Sequence, residues 1–183
     1  MNGAELASVD FDAFRTIMGS FASGVSVVTG LGDDGTPRGM TCSAVCSVSA
    51  DPPLLLSCVK PPSSTLNAIK TRGLFAVNFL DADGRELSDL FASQTPDKFG
   101  KVGWRPGETV GMPVLGPTLA YAECTVHDMF DAGDHVVVIG RIVGGQVAVD
   151  RFPLAYWRGK YVRVFRVANG GHGRRPATQE PTI

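Results

Sequence analysis

The stretch DAGDHVVVIG (131–140) sets Gly133, Asp134 and His135 directly ahead of a run of valines. Glycine and aspartate are ordinary turn formers, one through its access to positive φ and the other through local hydrogen bonding. Histidine has no comparable role in a turn. His135 is therefore either a filler at the edge of a buried strand or a residue that faces a ligand.

Three further clusters combine residue types that suit a nucleotide-like ligand. TCSAVCSVSADPP (41–53) places hydroxyls at Thr41, Ser43, Ser47 and Ser49, where a barrel core would use valine or isoleucine. It reads either as a polar outer face or as a surface for a flat, polar-edged ligand, against which small side chains let the backbone approach closely. In KPPSST, Lys60 precedes a helix start at which Ser63, Ser64 and Thr65 offer hydroxyls and free amides. That is a phosphate site without a P-loop, or simple capping. In TPDKFG, Thr95 and Pro96 are expected to start a helical turn that leaves Lys98 and Phe99 as a neighbouring cation and aromatic. In a long loop such a pair suits a phosphate and a base.

The glycines of GLGDDG (30–35) match GxGxxG but do not make a dinucleotide fingerprint. That motif needs a helix after the glycines to receive the pyrophosphate, and here a strand-like TPRGMTCS follows. Asp33 and Asp34 would also set negative charge against the phosphates. A hairpin turn accounts for the stretch.

Bulk properties narrow the class. The chain has 183 residues, 44% hydrophobic and 19% charged, with a formal net charge of −1. This suits one globular domain and provides no basic stripe for nucleic acid. No apolar run reaches the ~20 residues of a membrane helix and no signal peptide is evident, so the expectation is a cytoplasmic protein without a membrane partner. The four cysteines, Cys42, Cys46, Cys58 and Cys124, lack CxxC spacing, which argues against a metal site.

These residues need elements to position them. Asp10 caps a helix with apolar residues at Phe11, Phe14, Met18 and Phe21. Strands are expected at 25–29, 39–49, 54–59 and 74–80, with helices at 63–70 and 85–92. The stretch 95–117, with four prolines and five glycines, is expected to be a mostly irregular excursion, and such excursions are usually lids or binding loops. LAYAECTVHDMF (119–130) alternates cleanly and should pair with the run after His135 as a long hairpin, and 156–165 forms a last short one. About seven strands joined by hairpins predict a mainly β fold, an antiparallel barrel with helices at its rim. Residues 1–10 read as an N-terminal extension, 11–167 as the domain, and the Gly-, Arg- and Pro-rich 168–183 as a disordered tail.

Taken in order, SGVSVVT, GMTCSAVCSVSADPPLLL, SSTLNAI, FAVNFL, DKF and AECTVHDMFDAGDHVVVIGRI resemble the flavin reductase family, the small reductase components of two-component flavin monooxygenases. The resemblance covers roughly residues 11–165. It implies a split β-barrel of the FMN-binding, Greek-key-like type, a homodimer, and reduction of free FAD or FMN by NADH or NADPH, with FAD and NADH favoured. Reduced flavin then passes to a partner monooxygenase. Thr41, Cys42, Ser43, Ala44, Cys46, Ser47, Val48 and Ser49 would line the isoalloxazine and ribityl chain. Cys58, Val59, Lys60, Ser63, Ser64 and Thr65 would meet the ribityl and phosphate groups, and Phe91, Lys98 and Phe99 the outer nucleotide. Gly133, Asp134 and His135 would form the family's GDH triplet, with His135 beside the nicotinamide as the catalytic residue. Cys42, Val45 and Cys46 depart from the family's usual residues. A non-catalytic flavin- or haem-binding split barrel is the alternative.

Overall fold

Local signals in the sequence account for most element boundaries. The computed structural model describes residues 7–165; the expected tail and the start of the N-terminal extension lie outside them. Asp10 caps α1 (Phe11–Gly19) by accepting from the Ala13 amide, and a two-residue strand β1 (Ser23–Gly24) follows. β2 (Ser26–Leu31) and β3 (Pro37–Cys42) are joined by the turn at 32–36, so the GxGxxG match is indeed a hairpin. The strand expected over 39–49 divides at Ser43 and Ala44, giving β4 (Val45–Ala50) before β5 (Pro53–Val59). Ser63 caps α2 (Ser64–Arg72), Gly73 ends it in the left-handed conformation, and β6 (Leu74–Leu80) and α3 (Arg85–Ala92) follow.

The excursion is more ordered than its composition suggests. Its helical turn lies at Phe99–Lys101 rather than starting at Thr95, because Asp97 takes a positive φ of 48° and its carboxylate accepts from the Gly100 amide. Beyond it β7 (Trp104–Pro106) and β8 (Pro113–Leu115) pair as a small hairpin. β9 (Thr118–Ala132) and β10 (His135–Val147) form the long hairpin, closed by Gly133 and Asp134. Only the glycine of that pair has positive φ, 62°, the pattern of a II′ turn. β11 (Leu154–Trp157) and β12 (Lys160–Arg163) make the last hairpin, with β1 against β11.

Seven of these strands form one antiparallel sheet in the order β3-β2-β6-β9-β10-β5-β4. β3 and β4 stand at opposite ends of that order, yet only Ser43 and Ala44 separate them in the chain. The sheet must therefore curl until its ends meet. The Cys42 thiol, which reaches the Cys58 carbonyl of β5 at 3.4 Å, marks the seam. Inside the curl lie Val28, Leu55, Val59, Phe75, Val77 and Val138, all buried. This is the split β-barrel that the family resemblance implies.

A second core covers the outer face, where Val27, Leu80, Leu87, Phe91, Phe99 and Leu115 pack under α3 and the excursion. Three fully buried polar side chains stitch the excursion to the sheet. The Thr29 hydroxyl donates to the Pro113 carbonyl at 2.6 Å, and Asn78 Oδ1 accepts from the Leu115 amide at 2.9 Å. Glu123 accepts from the Thr109 and Val110 amides at 2.8 and 2.9 Å. The expected lid is thus fixed, at least from Thr109 to Leu115, because lifting it would strand buried polar groups.

Among the described residues no helix is long and apolar enough to cross a membrane, and no cluster of His, Cys, Asp and Glu could hold a metal ion.

Candidate active site

The Ser63 hydroxyl accepts from the Leu66 amide at 3.2 Å, leaving the Ser64 and Thr65 amides without partners inside the helix. This end of α2 opens on a cavity of about 360 Å³. Thr41, Lys60, Ser63, Ser64, Thr65, Phe91 and Lys98 all line it, so seven residues singled out from four separate stretches converge. The Thr41 hydroxyl donates to the Ser88 carbonyl at 2.6 Å and so ties β3 to α3.

Phe91 and Phe99 meet edge to face, 5.1 Å between centroids, and both are buried. They pack on Gly39, where a Cβ would come within 2.7 Å of the Phe91 ring, so only glycine admits this approach. Lys98 reaches back to donate to the Phe91 carbonyl at 2.9 Å, at the C-terminal end of α3, where a cation is favoured. Burial lowers its pKa from the ordinary lysine value. A second cavity of about 480 Å³, lined by Thr36, Arg38, Asp97 and Phe99 among others, adjoins the first across Lys98.

The hairpin tip reaches this cleft through Lys60. Val136 pairs with Val59, which sets His135 and Asp134 beside the end of β5. Lys60 Nζ lies 2.8 Å from one Asp134 oxygen, and His135 Nδ1 lies 2.6 Å from the other. The hydrogen bond from Lys60, reinforced by the one from His135, holds the Asp134 carboxyl at a pKa of about 2. Lys60, expected to be a free phosphate cation, is instead paired across the cleft mouth with a residue 74 positions away.

The other expected residues divide by burial. Cys42 and Val59 belong to the barrel core. Desolvation raises the pKa of both the Cys42 and the Cys58 thiols, Cys42 being the more deeply buried. Ser43, Ala44, Cys46, Ser47 and Val48 are exposed along β4 and the link before it, while Ser49 and Cys58 are half-buried. β4 ends the sheet, leaving one side of its backbone unpaired, and Val48 sits in a bulge between Ser47 and Ser49. Residue-type reasoning passed over Arg38, Ser93 and Gln94, which also line the cleft. Arg38, a cation next to Gly39 on a strand edge, was the available signal.

The flavin reductase like domain family matches residues 18–164. The chain belongs to the flavin reductase family. It is 50% identical over 157 residues, 85% of this chain and 82% of the relative, to the flavin reductase (NADH) of Kitasatospora aureofaciens. It is 38% identical over 160 residues, 86% of this chain and 84% of the relative, to the reductase subunit HsaB of a flavin-dependent monooxygenase from Mycobacterium tuberculosis. Among solved structures, the NADH:FAD oxidoreductase SgcE6 of Streptomyces globisporus, in complex with NAD and FAD fragments, superimposes with a TM-score of 0.82 at 32% identity. That match covers 91% of this chain and all of the other. Relatives' names include both NADH and NADPH, and several are reductase components of flavin-dependent monooxygenases. The chain is an NAD(P)H:flavin oxidoreductase.

Proposed function

We propose that this flavin reductase oxidises NADH to reduce free FAD, and FMN less well, and releases the reduced flavin to a flavin-dependent monooxygenase. The flavin, bound as a substrate, supplies the redox chemistry by accepting a hydride at N5 from the nicotinamide C4. The chain's residues bind and orient. The unpartnered amides of Ser64 and Thr65 suit a phosphate, in a cleft that also holds the Lys98 ammonium, while Lys60 at its mouth is paired with Asp134. The unpaired edge of β4 and the small residues Ser43, Ala44 and Ser47 suit the polar rim of a flat ring.

The observation that carries this reading is the Lys60–Asp134–His135 chain, which joins the phosphate end of the cleft to the hairpin tip. Asp134 holds Nδ1 of His135 and so fixes the ring's orientation, leaving Nε2 free to position the nicotinamide. Productive geometry needs the reacting atoms within ~3–3.5 Å, and positioning is the main contribution asked of the protein. NADH is favoured because no arginine is assigned to a 2′-phosphate. The four cysteines are unpaired thiols, which suits a reducing cytoplasm.

The working unit in this proposal is a homodimer. α1 buries none of its residues and presents Phe11, Phe14, Ile17 and Met18, with Phe21 just beyond its end, each at least half exposed. An apolar helix face of that size is an interface signature, and a second copy would cover it. Light scattering should give twice the chain mass, and an active monomer contradicts it.

The function itself is tested by following NADH absorbance with free FAD, free FMN or no flavin. Oxidation only when flavin is added, faster with FAD, is expected. Flavin binding without NADH oxidation would return the chain to a carrier role.

A further inference from the structure

α3 is only eight residues long, and Gly84 at its N-cap offers no side chain to cap it. A helix that short is held in place by tertiary contacts rather than by its own propensity. Its buried face is Leu87, Ser88 and Phe91, so Ser88, 1% exposed, is a hydroxyl among apolar neighbours. Burying a hydroxyl costs stability unless it finds a partner. The partner comes from outside the helix. The Tyr161 hydroxyl of β12 lies 3.0 Å from Ser88 Oγ and donates to an Asp89 carboxylate oxygen at 2.7 Å. Burial raises the Tyr161 pKa from the ordinary tyrosine value, so the phenol keeps the proton that this donation needs. The Tyr161 ring packs against the second core, with the Arg85 guanidinium over it at 5.5 Å from the centroid. One residue of β12 thus grips Arg85, Ser88 and Asp89 of α3.

We infer that Tyr161 is a positioning residue for flavin binding: by fixing where α3 sits, it sets three groups that line the cleft, Thr41, Phe91 and Lys98. The inference rests on the proposed flavin site and adds to it a residue that touches no ligand. β12 belongs to the separate sheet β1-β11-β12, and none of that sheet's residues lines either of the cleft's two chambers, the cavity at α2 and the one beyond Lys98. The route runs through backbone carbonyls of α3. That of Ser88 accepts from the Thr41 hydroxyl at 2.6 Å, and that of Phe91, one turn on, accepts from Lys98 Nζ at 2.9 Å. The Phe91 ring itself lines the chamber at α2. A small rotation or slide of α3 would move all three together. Such a shift weakens capture of the flavin without slowing hydride transfer once the flavin is bound, which is the signature of a raised KM at constant kcat.

The test measures KM for FAD and kcat, at saturating NADH, for the unaltered protein, Tyr161→Phe, Ser88→Ala and the double variant. Phenylalanine keeps the ring packing and alanine keeps the Ser88 carbonyl, so each change removes one hydroxyl. KM does not depend on how much of a preparation is folded. Tyr161→Phe is expected to raise the KM for FAD roughly 3- to 10-fold, the scale of one lost hydrogen bond, with kcat within about twofold. The double variant is expected to match Tyr161→Phe, because both changes cut the same link. An unchanged KM overturns the inference even if the melting temperature falls, and would make Tyr161 a structural contact alone. Increases in KM that multiply in the double variant also overturn it, since Tyr161 would then act by a route other than Ser88. If the unaltered protein reduces no flavin, the flavin-reductase reading fails together with the inference; if it reduces flavin and the KM stays put in Tyr161→Phe, only the inference fails.

Discussion

On the outer face of the sheet, Thr29, Asn78 and Glu123 are fully buried, and their polar atoms hold backbone groups of residues 109–115. At the end of the β9–β10 hairpin, Lys60, Asp134 and His135 also form a linked polar chain, but their side chains are 62%, 68% and 40% exposed. The same strand pair supplies both settings, since Glu123 lies in the covered half of β9 and the tip lies beyond it. Burial makes the first network strong, because a lost partner leaves an unsolvated group behind. Exposure makes the second weak in stability, since water replaces what is lost. In the proposed function, polar residues at such a site orient a ligand rather than support folding. Changes in the first region should therefore appear in unfolding curves, and changes in the second in turnover.

Glu123→Ala should have the largest effect. It removes two part-buried hydrogen bonds to a fully buried carboxylate, those from the Thr109 and Val110 amides, at about 1.5–3 kcal/mol each, so a loss of roughly 2–5 kcal/mol is expected in urea unfolding once water reaches the exposed Thr109. Turnover per folded molecule should hold; a stable variant with impaired turnover would erase the distinction between the regions. Gly39→Ala comes next and lies on the boundary between them. The new Cβ must displace the Phe91 ring, an overpacking cost of about 1–3 kcal/mol, and because Gly39 lines both chambers the KM for flavin should rise as well. A change in melting alone would detach the aromatic pair from the cleft.

Lys60→Met should be milder. Removing one exposed partner of Asp134 should lower kcat/KM for NADH by roughly 2- to 5-fold with little movement of the melting curve. Equal losses in both would place Lys60 with the buried network. The smallest effect is on pH dependence. The Asp134 pKa is depressed to about 2 from an ordinary 3.8, so its ionic links are fully present above about pH 4 and are lost as pH falls toward 2. Carboxylate NMR should find that titration near 2, whereas one near 4 would mean that neither Lys60 nor His135 holds the group.

The local features of this fold were readable in the sequence, and the covering of one surface by another was not. Ser63 and Gly73 mark α2 by cap chemistry, and the alternation in 119–130 marks β9. That alternation even sets Glu123 on the face of Leu119 and Tyr121. It could not show that the face is covered, because the cover comes from residues 103–115, whose prolines and glycines carry no periodicity. Fixing that segment depends on side chains of β2, β6 and β9, far away in sequence. Lys60 has the same explanation. Its neighbours Ser63, Ser64 and Thr65 suggest a phosphate, while its partner Asp134 becomes visible only once β5 and β10 are paired. Cys42 and Val59 fall within stretches that line the cleft, but strand alternation turns their side chains into the barrel core.

The central claim is that the exposed tip acts in catalysis and not in folding, and His135→Ala tests it most directly. NADH kinetics at saturating flavin and a melting curve are measured on the same preparation. The account predicts a fall in kcat/KM for NADH of roughly 5- to 150-fold, the equivalent of one lost polar contact of ~1–3 kcal/mol, with the melting temperature nearly unchanged. A variant that melts early but turns over normally would contradict it and make His135 a structural residue of the strand edge.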